Sequence, residues 1–259
     1  MDRHESSSFG FMAIATEEGR AEMAPIKLNV IKPSVNNMTV RVFLRAANLD
    51  FIEHDVYGQT RSAEYLARCP SHLTPMIEMS DLPRGALWES CAIMQYLCNK
   101  HGLDDFYPKN PEKRAMIDSA MFYLIGTFYP HLARATYPIL RFPQYPGEVG
   151  YSEADHDAKE QARKAAADAL AEPLEVFHTF YMSGKPFIGG DKPSIADIRL
   201  AATLEFLEVI DYPLPAWATT YMETMERSLG SAYSEPAADV RGYIDYVRAQ
   251  RQEELTGIA

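Results

Sequence analysis

The sequence predicts an α/β domain over residues 26–107 followed by an all-helical bundle over residues 112–248. Three observations carry this. Short apolar runs of strand type alternate with helical stripes as far as Gly102. The proline-marked segment Asp104–Pro111, DDFYPKNP, then interrupts the chain as a linker. Beyond it the strand-type runs stop and only stripes of helical period follow. Residues 1–25 contain a Ser run and few ordering signals, so they read as an N-terminal extension.

The elements follow in order. Residues 26–31, IKLNVI, alternate as a strand, and Pro33-Ser34-Val35-Asn36-Asn37 breaks it. Val40, Phe43, Leu44 and Ala47 form a helical stripe ending near Asn48. Phe51–Val56 is the next strand, and a β-α-β unit of this kind demands parallel strands. Tyr57–Arg61 is a loop and Ser62–Arg68 a short helix. Thr74–Met79, TPMIEM, is a strand entered through a proline, and Thr74–Pro75 invites a cis bond. Ser80–Gly85 carries Asp, Pro and Gly and turns the chain into the short run Ala86–Trp88. From Glu89, the residues Ala92, Ile93, Tyr96 and Leu97 fall at helical spacing, and Gly102 stops that helix. The order β-α-β-α-β-β-α is that of the thioredoxin-like fold. No C-x-x-C follows the first strand, which argues against dithiol redox chemistry.

In the second half, Glu112–His131 reads as one long apolar helix. Pro138–Gly150, with three prolines and two glycines, reads as a loop. Ser152–Tyr181 is an Ala-rich, charged helix that Pro173 kinks or restarts. Phe187–Gly190 is a turn. Ser194-Ile195-Ala196-Asp197 is a capping box before a buried helix, Ile198–Ile210. Trp217–Leu229 and Glu235–Arg248 are terminal helices.

The bulk composition narrows the function. The chain has 259 residues, 47% of them hydrophobic, and a net charge of −11. Such an acidic surface argues against nucleic acid or an anionic membrane as partner. It leaves room for a small anionic ligand, which needs only a local positive field. No apolar run reaches the roughly 18 residues of a membrane helix, and the N-terminus lacks the basic and long apolar regions of a signal peptide. The three cysteines have no metal-type spacing, so no metal is expected, and they read as reduced thiols of a cytoplasmic protein.

The stretch Cys69–Gly102 carries the chemistry. The residue before a tight X–Pro turn offers its backbone to an extended peptide. Glu89 and Ser90 stand at a helix start, where unpaired N–H groups attract a carboxylate. Together these suit a small acidic peptide. PSHLTP followed by ALWESCAIMQYL resembles the glutathione-binding half of the cytosolic glutathione transferases, closest to the delta, epsilon and theta classes. FYPKNPEKRAMID and FIGGDKPSIADI resemble the linker, fourth helix and capping-box helix of the same family, so the resemblance covers about residues 26–230.

The resemblance implies glutathione as co-substrate, a small apolar electrophile and a dimer, with either an identical copy or a related sibling. It implies that Thr74, before Pro75, pairs with the cysteinyl backbone of glutathione, and that Glu89 and Ser90 hold the γ-glutamyl end. Ser34 matches the activating serine of the delta and theta classes. The run Val35-Asn36-Asn37 departs from the delta pattern, and Ser-x-Asn resembles nu-like bacterial transferases, in which hydroxyl and amide approach the sulfur together. Ser34 and Asn36 are therefore the catalytic pair. A thiol with a pKa near 8.5 needs such help to ionise at neutral pH. His72 matches a contact to the glycyl carboxylate, and Gln59 lies at the same end, although Thr60 stands where relatives often have His. Asp118 matches an acidic position that reaches the γ-glutamyl amine across the dimer interface. Phe122, Tyr123, Tyr129 and Tyr137 are expected to line an aromatic electrophile pocket. Aryl-ether or halide displacement fits that pocket. A non-catalytic subunit that binds glutathione or only dimerises is the alternative.

Overall fold

The computed structural model describes residues 25–142 and 156–257. The expected N-terminal extension and most of the 138–150 loop lie outside these residues. The first half is β1 (Ile26–Val30), α1 (Val35–Ala46), β2 (Phe51–Asp55), α2 (Ala63–Arg68), β3 (Met76–Glu78), β4 (Ala86–Trp88) and α3 (Ser90–His101). The strands form one mixed sheet in the order β2-β1-β3-β4. β1 runs parallel to β2 and antiparallel to β3, and β3 pairs antiparallel with β4. This is the thioredoxin-like order expected from the sequence. Gly102 closes α3 in the left-handed conformation at φ 65°, where a Cβ would be strained.

The second half is helical: α4 (Pro111–Tyr123), α5 (Tyr129–Leu140), α6 (His156–Asp168), α7 (Ala171–Val176), α8 (Ile195–Leu204), α9 (Ala216–Leu229) and α10 (Ser231–Thr256). Three expectations need correction and one is refined. The long helix from Glu112 is α4 and α5 joined by a π turn, Leu124–Phe128, and it does not stop at His131. Pro138 lies inside α5 instead of opening a loop. A proline there removes one helical bond, but Leu140 is fully buried and its carbonyl accepts the Tyr243 hydroxyl at 2.8 Å, so packing holds the turn. The helix expected over Ser152–Tyr181 restarts at Pro173 as read from the sequence, dividing into α6 and α7 with Pro173 in the first turn of α7, but it ends in a π turn, Phe177–Met182. The capping-box helix begins at Ile195 and tightens to 3-10 geometry from Glu205 to Ile210.

One apolar core runs through both halves, and α1 lies at their junction. It shares that core with β1 and packs against α3, α8 and α10. Arg41 of α1 donates to Glu53 of β2 at 3.0 Å and to Asp239 of α10 at 2.7 Å. The Ile195 N–H also donates to the Phe106 carbonyl at 3.1 Å. The two halves are thereby tied together through α1 and the linker. Among the described residues, no helix is long and apolar enough to cross a membrane.

Candidate active site

Ser34 is the N-cap of α1 with extended backbone, φ −83° and ψ 127°, but its hydroxyl makes no capping bond. Among the described residues that hydroxyl has no partner, and the residue is half-buried. Ser34 is therefore positioned as a cap and left uncommitted as a donor. Asn36 is different. Its Oδ1 accepts from Arg199 at 2.5 Å and its Nδ2 donates to the Tyr129 hydroxyl at 2.8 Å. Arginine has only donors, so the contact with Arg199 fixes which end of the Asn36 amide is oxygen. The NH₂ group then faces Tyr129. An amide nitrogen carries two protons, and the second has no acceptor among the described residues.

Arg199 comes from α8, in the second turn after the capping box. It is 3% exposed. Besides Asn36 it donates to the Thr203 hydroxyl at 2.5 Å, and its guanidinium lies 4.9 Å from the Tyr129 ring centroid. It also stands beside the Cys91 thiol in the first turn of α3. Burial pushes that thiol up, and Arg199 only partly opposes the effect. So one buried cation touches side chains from the first turns of both α1 and α3.

The cis bond at Thr74–Pro75 is present. Asn37 donates to the Thr74 hydroxyl at 2.8 Å and so ties the first turn of α1 to that loop. Pro75 is buried behind it. Glu89 precedes α3 at φ 75°, exposed, and Ser90 opens the helix at 6% exposure. His72 is half-buried at φ 52°. Gln59 is exposed, and its recorded bonds are those of its backbone. The structure thus brings Ser34, Asn36, Thr74 and Pro75 together, and reaches Glu89 and Ser90 through Cys91 and Arg199.

The expected aromatic pocket divides. Tyr129 and Tyr137 share a 2.6 Å hydroxyl contact and join Asn36. Tyr137 packs edge-on against Phe142 and Phe206, and Phe142 stacks on Tyr243. Phe122 and Tyr123 are not part of this group. Phe122 is 72% exposed, and Tyr123 packs on Phe177 and Tyr181. The π turn between α4 and α5 shifts the helical phase, so residues read as one stripe face different neighbours. Asp118 accepts from Gln95 at 2.6 Å and from Tyr107 at 2.8 Å, which locks α4 to α3. Burial and that carboxylate push the Tyr107 hydroxyl up to about 12.

Arg199, Asn37, Phe206 and Tyr243 were not singled out in the sequence. Arg199 did leave a signal: it is the only charge in the apolar run IADIRLAATL after the capping Asp197. An arginine inside a buried helix needs a reason.

Comparisons with known proteins bear on the family and the fold. Residues 24–99 match the family model "Glutathione S-transferase, N-terminal domain", and residues 157–233 match "Glutathione S-transferase, C-terminal domain". The chain belongs to the glutathione transferase superfamily. A solved Bombyx mori glutathione transferase, BmGSTD1, is 29% identical, with 87% of this chain and 97% of that chain covered at a TM-score of 0.69. Human glutathione-S-transferase T1-1 in its apo form, at 20% identity, shares the fold over 85% of this chain and 91% of its own with a TM-score of 0.71. A Sulfitobacter homologue solved with bound glutathione shares the fold at 19% identity, 82% and 97% coverage and a TM-score of 0.64.

Proposed function

We propose that the protein is a glutathione transferase in which Ser34 and Asn36 together stabilise the glutathione thiolate. The observation that carries this is the Asn36 amide. Its oxygen end is held by Arg199, its nitrogen retains a proton without an acceptor among the described residues, and the uncommitted Ser34 hydroxyl stands two residues away at the same helix start. A helix N-terminus with two oriented donors favours an anion over a neutral thiol. When bound, glutathione would supply the sulfur nucleophile toward an electrophilic carbon. The residues that fit its other groups are Thr74 for the cysteinyl backbone, Glu89 and Ser90 for the γ-glutamyl end, and His72 and Gln59 for the glycyl end. The helix start at α3 suits the γ-glutamyl carboxylate, and exposed Glu89 suits its amine.

Tyr129, Tyr137, Phe142, Phe206 and Tyr243 form the apolar, aromatic surface continuous with Asn36, and the electrophile is assigned there. An aromatic substrate fits this surface, and aryl-ether or halide displacement remains the chemistry we favour for it. Phe122, at the end of α4, and Ile125, in the π turn, are both exposed large apolar side chains. That pair supports a homodimer, with Phe122 in the interface between copies. Three buried free cysteines accord with the cytoplasm.

The test is the absorbance of the bound tripeptide's thiolate against pH, beside turnover, for Ser34→Ala, Asn36→Ala and the double variant. Each single variant should keep residual activity and the double should fall further. If all three keep the parent's titration and turnover, the sulfur lies elsewhere. A parent that binds glutathione but shows neither thiolate nor turnover with any electrophile is the non-catalytic subunit.

A further inference from the structure

A guanidinium buried to 3% exposure normally sits on a carboxylate, because an isolated charge is costly to remove from water. Arg199 does not. Among the described residues no carboxylate lies within salt-bridge distance of it, and its Nε has no hydrogen-bond partner. Its partners are neutral acceptors: the Asn36 amide oxygen and the Thr203 hydroxyl. The ionisable groups facing it are Cys91 from α3 and Tyr129 from α5, whose hydroxyl meets Tyr137. Asp197, on the same helix, is turned away into the capping box, where Ser194, Ile188 and Gly189 donate to it. Cys91 does not supply the missing negative charge, since burial holds it as a thiol.

The uncompensated charge has a direction. Arg199 reaches Asn36 in the first turn of α1 and lies beside Cys91 in the first turn of α3. Each of these 12-residue helices presents its positive end there. Three positive sources meet, and the one side chain that leads from them toward the Ser34 end is the Asn36 amide. A cation on an amide oxygen withdraws electron density from the nitrogen and makes its remaining N–H a stronger donor.

We propose that Arg199 is a positioning residue for the transferase site: it orients and polarises Asn36 so that the amide donates to the glutathione sulfur, and the bound thiolate is the anion that this buried charge lacks. This rests on the glutathione reading above. Arg199 itself touches neither sulfur nor electrophile.

The experiment uses the full chain, with R199Q, R199K and N36A checked for folding by thermal denaturation. Glutamine can still donate to Asn36 but carries no charge; lysine carries the charge without the planar fork. Two readouts are taken: the thiolate titration of bound glutathione, and the affinity for glutathione relative to S-methylglutathione, which cannot ionise. In R199Q the bound thiol's pKa should rise by about one unit, and the preference for glutathione over its S-methyl analogue at neutral pH should fall by up to about tenfold. R199K should restore most of the shift. Adding R199Q to N36A should change the titration much less than R199Q does alone, because the link is already cut.

If folded R199Q titrates as the parent does while the parent binds a shifted thiol, the Arg199 proposal fails and the glutathione reading stands. If R199Q does not fold, R199K decides: a folded R199K with the parent's shift entirely lost overturns the charge role. If the parent binds no glutathione, both readings fail together.

Discussion

Asp197 should be worth far more to the fold than Ser194, although both belong to one capping box. The Asp197 side chain is fully buried and accepts five bonds. Ser194 Oγ donates at 2.7 Å, the Ser194 and Ile188 N–H groups at 2.8 Å, the Gly189 N–H at 3.0 Å and the Tyr221 hydroxyl at 3.0 Å. In return, the Ser194 hydroxyl takes the Asp197 N–H only at 3.4 Å. Ser194→Ala removes a long cap bond and one of the five donors to Asp197, whose carboxylate keeps the other four, and should cost about 0.5–2 kcal/mol. Asp197→Ala leaves the Ser194 N–H, the Ser194 hydroxyl and the Ile188 N–H buried without that acceptor, at about 1–3 kcal/mol each, while the Tyr221 hydroxyl keeps the carbonyl of residue 197 at 3.1 Å. Even with incomplete additivity, the loss should reach about 4 kcal/mol, which is exceptional for one side chain. The 187–194 loop cannot close over the gap. A Cβ on Gly189 would already lie 2.5 Å from the Lys192 carbonyl oxygen, so Gly189→Ala should also destabilise. Urea unfolding of the three variants checks this. Ser194→Ala should shift the midpoint slightly and keep its activity per folded molecule, while Asp197→Ala should unfold at a much lower midpoint or fail to accumulate. An Asp197→Ala variant no less stable than Ser194→Ala would refute the reasoning, because the N–H groups would then have another acceptor.

Three further outcomes are expected. Ser90→Ala deletes one hydrogen bond to a charged group and should weaken glutathione binding by about 1.5–3 kcal/mol; unchanged calorimetric affinity would remove Ser90 from the site. Burial works to raise Glu53, but Arg41 and Arg45 overcome it and hold the carboxyl below its ordinary range. An acid so depressed contributes stability above its unfolded pKa of about 4.3, and that contribution is lost as pH falls through the lower folded value. The unfolding midpoint of Glu53→Gln should therefore lose less on acidification below about pH 4.3 than the parent's does, and an identical acid profile would show that the pair contributes nothing. Tyr137→Phe keeps the ring against Phe142 but loses the hydroxyl at Tyr129; glutathione affinity should hold while turnover with an aromatic electrophile falls about two- to tenfold, one neutral hydrogen bond's worth.

The N-terminal half was legible because its signals are local. A strand followed by a break, a proline before the TPMIEM run and a glycine after a helical stripe each decide their own neighbourhood. The helical half was less legible where packing overrides such punctuation. Pro138 reads as a stop, yet Leu140 and Tyr243 hold α5 beyond it. Phe122 and Tyr123 read as members of one aromatic stripe with Tyr129, because nothing in composition marks the π turn at Leu124–Phe128 that rotates one set away from the other. Long-range partners were invisible for the same reason. Asn36 could be picked from its spacing to Ser34, but its orientation depends on an arginine 163 residues away.

That dependence also resolves an apparent conflict between composition and chemistry. A chain with net charge −11 looks hostile to an anionic peptide and more so to its thiolate. Net charge, however, is set by exposed side chains, whose influence is screened beyond about 10 Å at moderate salt. The positive sources at this site are the first turns of α1 and α3, which contribute nothing to a residue count, and Arg199, which counts once but acts from a low-dielectric interior. Of the acidic groups, Asp197 is committed to its capping box and Asp118 to Gln95 and Tyr107, while Glu89 stands exposed before α3, where water screens it. A protein can therefore be strongly acidic at its surface and cationic at the site we propose for the sulfur. The feature that separates the two is an arginine placed in an apolar helix where no carboxylate among the described residues meets it.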